Sequence, residues 1–357
     1  MHFRATIALV FLSLSAITAC AVQQTAGPAA VVAPPPDAPA AAPAEKAIPL
    51  PLREGSLKFA VLGDFGTGGR EQYELADRMA KFHAAFPFEL VLLTGDNVYG
   101  SERPQDMANK FEKPYRPLLD AGVKFYAALG NHDDRNQRNY EFFNMEGKLY
   151  YAFKAPRQDV RFFALESTYP SPEQIEWVEG ELKGSGENWK IAYFHHPLYS
   201  SGGRHGSDLE LRAALEPLFV RHNVSVVFAG HDHFYERIKP QQGIVHFVVG
   251  SGGKLSPGDI QNGSPLTARG FDRDYAFFAG EIVDDMMYFN AVARSGEVID
   301  SGIVLRRQIP DTTTAAAAAT AVANRPSGKA PPCAASTDGG GWPVWLSWPG
   351  RRSSPSC

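Results

Sequence analysis

Residues Val91-Leu92-Leu93-Thr94 form an aliphatic, β-branched run that stops at Gly95; Asp96 follows, and Tyr99 three residues later. Such a run reads as a buried strand, and the glycine ends it. The acid and the phenol are left at the C-terminal edge of a sheet, where open α/β folds place their ligand crevices. The same figure recurs along the chain. Residues 57–62 run into Gly63-Asp64-Phe65-Gly66, and residues 125–129 into Gly130-Asn131-His132-Asp133. Residues 190–194 run into His195-His196-Pro197, and residues 224–229 into Gly230-His231-Asp232-His233. One Gly-Asp after a strand says little, because turns use it constantly. Five strand ends that all carry carboxylate, amide or imidazole groups exceed what capping explains. Glycine at four of them lets the backbone turn sharply enough to aim the next side chain into a shared crevice.

The intervening segments set the fold class. Helical spacing covers residues 71–85 through Leu75, Met79 and Phe82, residues 104–120, residues 172–182 with Ser171 as N-cap, and residues 209–220. Residues 150–153 and 160–165 alternate as strands, and residues 244–305 are strand-like with glycine turns. Early β-α alternation followed by serial strands predicts an α/β chain with two packed sheets and helices outside.

The ends of the chain read differently. His2 and Arg4 precede an apolar stretch from Ala5 to Ala16, too short for a permanent span and suited to an export signal. Ile17-Thr18-Ala19-Cys20 resembles a lipobox, which implies cleavage before Cys20, lipidation of that residue, and anchoring to a bacterial envelope, with Ala21 favouring the outer membrane. The alternative is a plain secretory signal and a periplasmic or secreted protein. Residues 1–20 are therefore read as signal, 21–55 as an Ala/Pro-rich tether around Pro34-Pro35-Pro36, 56–307 as one α/β domain, and 308–357 as a disordered tail.

A net charge of −4 and no block of five basic residues give no electrostatic case for nucleic acid. No cysteine lies between Ala21 and Pro332, so a metal in the core has to use carboxylate, amide, imidazole or phenolate groups. That donor mixture suits a pair of first-row transition metals better than calcium or magnesium. Two such ions, about 3.5–4 Å apart, can hold the attacking and leaving oxygens of an in-line phosphoryl displacement. Cations, rather than a basic surface, would then capture the anionic substrate.

In their order, Asp64, Gly95-Asp96, Gly130-Asn131-His132, His195 and Gly230-His231-Asp232-His233 resemble the signature of the calcineurin-like metallophosphoesterases, across most of residues 57–307. Many members begin with Asp-X-His, whereas this chain has Asp64-Phe65-Gly66 and places Tyr99 three residues beyond Asp96. That combination resembles the purple acid phosphatases in their short, tartrate-resistant form. The resemblance implies a four-layer αββα sandwich of two mixed sheets. It implies one metal on Asp64, Asp96, Tyr99 and His233 (Fe3+), and another on Asp96, Asn131, His195 and His231 (Fe2+, Zn2+ or Mn2+). His132 and His205 would stabilise phosphate oxygens or protonate the leaving group while an activated hydroxide cleaves a small phosphate monoester at acidic pH. Alternatives are a phosphodiesterase or phospholipase-like activity on the same metal pair, and a surface lipoprotein that binds metal or phosphate without turnover. A monomer is favoured, with the membrane reached only through Cys20.

The remaining candidates read less sharply. His196 is a packed residue or a ligand's supporter, and Asp133 either orients His132 or is a plain turn acid. Gly250-Ser251-Gly252-Gly253 lacks the following Lys-Ser/Thr of a phosphate loop and reads as a close-approach turn. His83, His222 and His246 read as structural.

Overall fold

The computed structural model describes residues 47–308. The signal, Cys20, most of the tether and the tail lie outside the described residues. β1 (Leu57–Leu62), β2 (Leu90–Thr94) and β3 (Lys124–Ala128) run parallel. α1 (Arg70–Ala85) joins the first two, and its apolar face places Leu75, Ala76 and Met79 in the core. The second crossover is α2 (Pro104–Met107), a π-helical turn at Ala108–Glu112, and α3 (Lys113–Asp120). The sequence showed one helical segment there. The wide turn, with Pro114 and Pro117 just beyond it, divides it.

A second sheet follows. It contains β4 (Tyr151–Lys154), β5 (Val160–Ala164), β6 (Trp189–Tyr193), β7 (Val226–Ala229), β8 (Tyr235–Ile238), β9 (Val245–Val249) and β10 (Thr267–Phe271), in the order β10-β8-β9-β7-β6-β5-β4. α4 (Pro172–Gly184) and α5 (Leu209–Arg221) connect β5 to β6 and β6 to β7. Ser171 caps α4, its hydroxyl accepting from Gln174 N. The chain then returns to the first sheet as β11 (Ala276–Val283), β12 (Met286–Ala293) and β13 (Val298–Leu305), completing the order β13-β12-β11-β1-β2-β3. Both sheets mix parallel and antiparallel pairs.

β1 and β2 are almost wholly buried, as strands covered on both faces must be. Phe59 anchors the layer between the sheets, its ring 5.8 Å from Phe162, 6.1 Å from Phe228 and 6.1 Å from Phe278. A second cluster packs Val178, Leu182, Leu215 and Phe219 of α4 and α5 against Phe163, Ala192 and Val227. The result is a helix–sheet–sheet–helix stack, the two-sheet α/β fold expected from the strand pattern.

Two features differ from the sequence reading. Residues 48–53, assigned there to the tether, are fixed to the first sheet. Ile48 N donates to Ser301 Oγ, and Leu52 N and Arg53 N donate to the fully buried carboxylate of Glu281. A buried acid on a strand requires donors, and the incoming chain supplies them. β8 was also unforeseen, because Glu236 and Arg237 give its sequence no apolar alternation. Inside the fold Glu236 is fully buried and accepts from Ser201 N, Ser201 Oγ and Thr267 Oγ1.

His246 on β9 is buried against Tyr199, ring centroids 5.0 Å apart, and neither ring nitrogen has a partner among the described residues. Burial, aided by the Arg212 charge, pushes its imidazole down to about 3. The unfolded chain takes up this proton near the ordinary histidine value and the folded chain does not. Stability therefore falls as pH drops from about 6.5. His246→Phe is expected to raise the melting temperature at pH 7 and to flatten its decline between pH 6.5 and 4. Equal acid sensitivity in the two proteins would refute this.

Candidate metal centre

The C-terminal edges of β1, β2 and β3 in one sheet, and of β6 and β7 in the other, meet at one end of the stack. The turns there are strained. Asp64, Asp96 and His231 all occupy the left-handed region, at φ 55°, 51° and 70°, a conformation that non-glycine residues keep only where the surroundings enforce it. The enforcement is visible. His231 N donates to Asp64 Oδ2 at 2.9 Å, His132 N donates to Asp96 Oδ1 at 3.0 Å, and Asp64 N donates to Gly95 O at 3.0 Å. A Cβ on Gly130 would stand 2.2 Å from Asp96 Oδ1, and one on Gly230 would stand 2.3 Å from Asp64 Oδ2. Those glycines are required because a carboxylate occupies the space.

Two sets of donor atoms result. In the first, Tyr99 Oη is 3.2 Å from Asp64 Oδ1 and 3.4 Å from His233 Nε2, which is 3.5 Å from that same Asp64 oxygen. In the second, His195 Nε2 is 3.0 Å from Asn131 Oδ1, 3.1 Å from His231 Nδ1 and 3.4 Å from Asp96 Oδ1. Asp64, Asp96 and His195 also present donor atoms within 4.8 Å of one another, so the two sets adjoin through Asp96. His195 Nδ1 donates to Thr94 O at 3.0 Å. That tautomer leaves an Nε2 lone pair facing the Asn131 and Asp96 oxygens, a lone-pair-to-lone-pair arrangement that a cation would resolve.

The electrostatics agree. Asp64 and His195 are fully buried and Asp96 nearly so. Burial, then the Asp96 charge, raises the Asp64 carboxyl well above its ordinary value. Burial and the two aspartates raise the Tyr99 phenol as well. Burial lowers the imidazoles of His195, of His231 to about 2, and of His233 to about 4. Buried acids among uncharged imidazoles are costly without a counter-charge, so the donor set fits a cationic cofactor.

The residues read as metal donors, together with His132 and His205, lie at this end of the fold. The His205 ring lies 4.2 Å from that of His231 and the His132 ring 5.0 Å from that of Tyr99, tilted by 43° and 52°, and both histidines are exposed at the mouth. His196 stands closer in than its sequence position suggested. Its ring is 4.3 Å from His231, it shares a potential metal cluster with His195 and His231, and its Nδ1 lies 3.0 Å from Ser167 Oγ. Gly252 N donates to Gly63 O and Gly253 N to Asp64 O, both at 3.0 Å, so the glycine run is a close-approach turn. Lys254, which sequence reasoning missed, places Nζ 4.6 Å from the Tyr99 ring centre.

A family profile described as calcineurin-like phosphoesterase matches residues 57–235. The chain belongs to that family. It is 26% identical to purple acid phosphatase 17 of Arabidopsis thaliana over 249 residues, covering 60% of this chain and 72% of the relative. It is 23% identical to tartrate-resistant acid phosphatase type 5 of Oryctolagus cuniculus, covering 58% and 77%. Among solved structures, purple acid phosphatase PPD1 from yellow lupin superposes with a TM-score of 0.58 at 20% identity, covering 72% of this chain and 55% of that one. GAP50, described as the anchor in the inner membrane complex of Plasmodium, gives 0.61 at 22%, covering 76% and 98%.

Within this phosphoesterase the departure at Gly66 has a steric reason. A Cβ there would lie 1.8 Å from Asn97 O, and Tyr99 N donates to Gly66 O at 2.9 Å. The loop carrying Tyr99 thus packs directly on the Gly66 backbone. Asp133 holds the same loop and makes no hydrogen bond to His132. Its Oδ2 accepts from Gly130 N at 2.8 Å and from Asn97 N and Nδ2 at 3.1 Å, and its Oδ1 from Val98 N at 3.0 Å and Gln137 Nε2 at 2.8 Å. Each buried donor left without an acceptor costs about 1–3 kcal/mol. Asp133→Ala is therefore expected to lose at least ~3 kcal/mol in chemical denaturation and to bind metal more weakly, with Asp133→Asn losing less. Wild-type stability in the alanine variant would contradict this role.

Proposed function

We propose that this phosphoesterase hydrolyses phosphate monoesters at a dinuclear metal centre, as an acid phosphatase of the purple type. The observation that carries the reading is the division of the donor atoms into two sets that adjoin through Asp96. Asp64, Tyr99 and His233 would hold one ion and Asn131, His195 and His231 the other, with Asp96 between them. Such ions supply Lewis acidity for the phosphoryl oxygens and acidify water at neutral or lower pH. The phenol suits Fe3+ at the first position, and the nitrogen-rich second set suits Fe2+, Zn2+ or Mn2+.

The chain's own groups do the rest. The Thr94 carbonyl fixes the His195 tautomer. Asp133 fixes the Tyr99 loop. His132 and His205, exposed at the mouth, are placed to hold phosphate oxygens and to pass a ring proton to the departing oxygen. The purple acid phosphatase relatives support a phosphate ester as substrate. Export and a lipid on Cys20 complete the proposal, placing a monomeric enzyme on the bacterial envelope. Cys20→Ala should then move the protein from the membrane to the soluble fraction, and unchanged membrane recovery would reject the anchor.

Asp96→Ala is expected to lose both metals by elemental analysis and all hydrolysis of p-nitrophenyl phosphate. Retained turnover would sink the dinuclear reading. Tyr99→Phe should remove a visible phenolate-to-iron absorption band and keep the fold by circular dichroism. A colourless, manganese-loaded wild type would reject iron and leave the hydrolase intact. Faster turnover of bis(p-nitrophenyl) phosphate than of the monoester would reassign the enzyme to diesters.

A further inference from the structure

Two cations at the mouth take no part in the arrangement above. Lys254 is half-buried, with Nζ 4.6 Å from the Tyr99 ring centre. Its backbone is wedged against the site. Lys254 N donates to Asp64 O at 3.1 Å, and Ser256 N donates to His233 O at 3.0 Å. The preceding Gly253 sits so close that a Cβ would stand 2.1 Å from Phe65 O. The turn therefore has little freedom, and the ammonium is held over the phenol by the same strand end that presents Asp64.

Arg204 comes from the loop that also carries His205. That loop is tied to the segment after Lys254. Gly203 N donates to Asp259 O at 2.8 Å, Gln261 N donates to Ser201 O at 3.0 Å, and Gly202 bridges Ile260. Buried carboxylates brace it from below. Asp232 accepts from Ser200 Oγ and Gly206 N, and Glu236 accepts from Ser201 N and Ser201 Oγ. Among the described residues neither Lys254 nor Arg204 makes an ion pair or a side-chain hydrogen bond, whereas Arg103 and Arg237 each pair with a nearby carboxylate. An aromatic face attracts a cation but does not replace its water shell. A half-buried ammonium with only that contact lacks an anion.

We propose that Lys254 and Arg204 form a rim subsite for a second anionic group on the substrate, a carboxylate or further phosphate carried near the phosphoryl group that is cleaved. The metal donors lie beneath the rim and would take the reacting phosphate, so the two cations are left for whatever charge the rest of the ester carries. This rests on the hydrolase reading for the first phosphate alone. Substrates with one isolated phosphate would use the centre and leave the rim idle. Those with a neighbouring anion would engage both, which makes the rim a determinant of specificity.

The test compares 3-phosphoglycerate with glycerol 3-phosphate, two monoesters of similar size of which only the first carries a carboxylate. The metal-loaded wild type should favour 3-phosphoglycerate in kcat/KM. Lys254→Met and Arg204→Met should each reduce that preference by about ten-fold, the usual worth of one charge-assisted contact. Lys254→Arg should retain most of it. An unchanged preference, or an equal loss on both esters, would overturn the subsite and leave Lys254 as packing on Tyr99. Exposed Arg204 serves as the second variant should Lys254→Met fold poorly. If the wild type hydrolyses neither ester nor p-nitrophenyl phosphate, the hydrolase reading fails by itself. Calorimetric binding of the same two compounds then decides the subsite, with equal affinities in wild type and variants refuting it.

Discussion

The structure depends on the burial of Asp64 and Asp96 at neighbouring strand ends. Two carboxylates without solvent are unfavourable by themselves, and a left-handed backbone at each adds strain. What surrounds them follows from that. Gly130 and Gly230 leave room for the oxygens, His132 N and His231 N donate to them, and imidazoles kept uncharged by burial complete the enclosure. Among the described residues no lysine or arginine forms an ion pair with either acid. An apolar core would be more stable at this place, and the arrangement suits a seat for cations.

The tyrosine and the missing histidine are one feature in space. Tyr99 reaches Asp64 because its loop lies on Gly66, and any side chain at Gly66 would collide with Asn97. Losing the imidazole at that position admits the loop, and the loop brings a phenol in its place. Asp133 then secures the loop from the β3 side with five donors, two of them from Asn97. Exchanging one donor type for another is thus a matter of backbone packing, which accounts for two departures from the common motif occurring together.

Much of this was legible in the sequence because apolar runs that stop at glycine mark strand ends directly. Leu57–Leu62 and Leu90–Thr94 needed no tertiary information, and the turns after them carry their chemistry next to the run. The fold class followed from the order of those runs. Other features depend on partners distant in the chain. β8 is a strand because Glu236 finds Ser201 and Thr267, residues no local pattern connects to it. Asp133 read equally as an orienter of His132 or as a plain turn acid, and its partners turn out to be mostly in the β2 loop. His196 was visible only as the residue after a candidate ligand. Its place beside His231 comes from the approach of β6 to β7. Lys254 gave no signal, since a lysine after glycines is ordinary until the turn is seen wedged against Asp64.

The buried acids near this edge divide the labour. Asp64 and Asp96 face the donor cluster, while Asp133, Asp232 and Glu236 face backbone amides and hydroxyls of the loops around it. The second group supplies no donor atom to the cluster but fixes the segments that bear Tyr99, His205 and Arg204. A loop held by such a carboxylate loses several hydrogen bonds at once if it moves, which opposes its displacement. The loop braced by Asp232 and Glu236 carries Arg204 and His205, while Lys254 is held through its own backbone bond to Asp64 O. On the proposed hydrolase reading, recognition of an ester beyond its phosphate depends on the shape and charge of those segments.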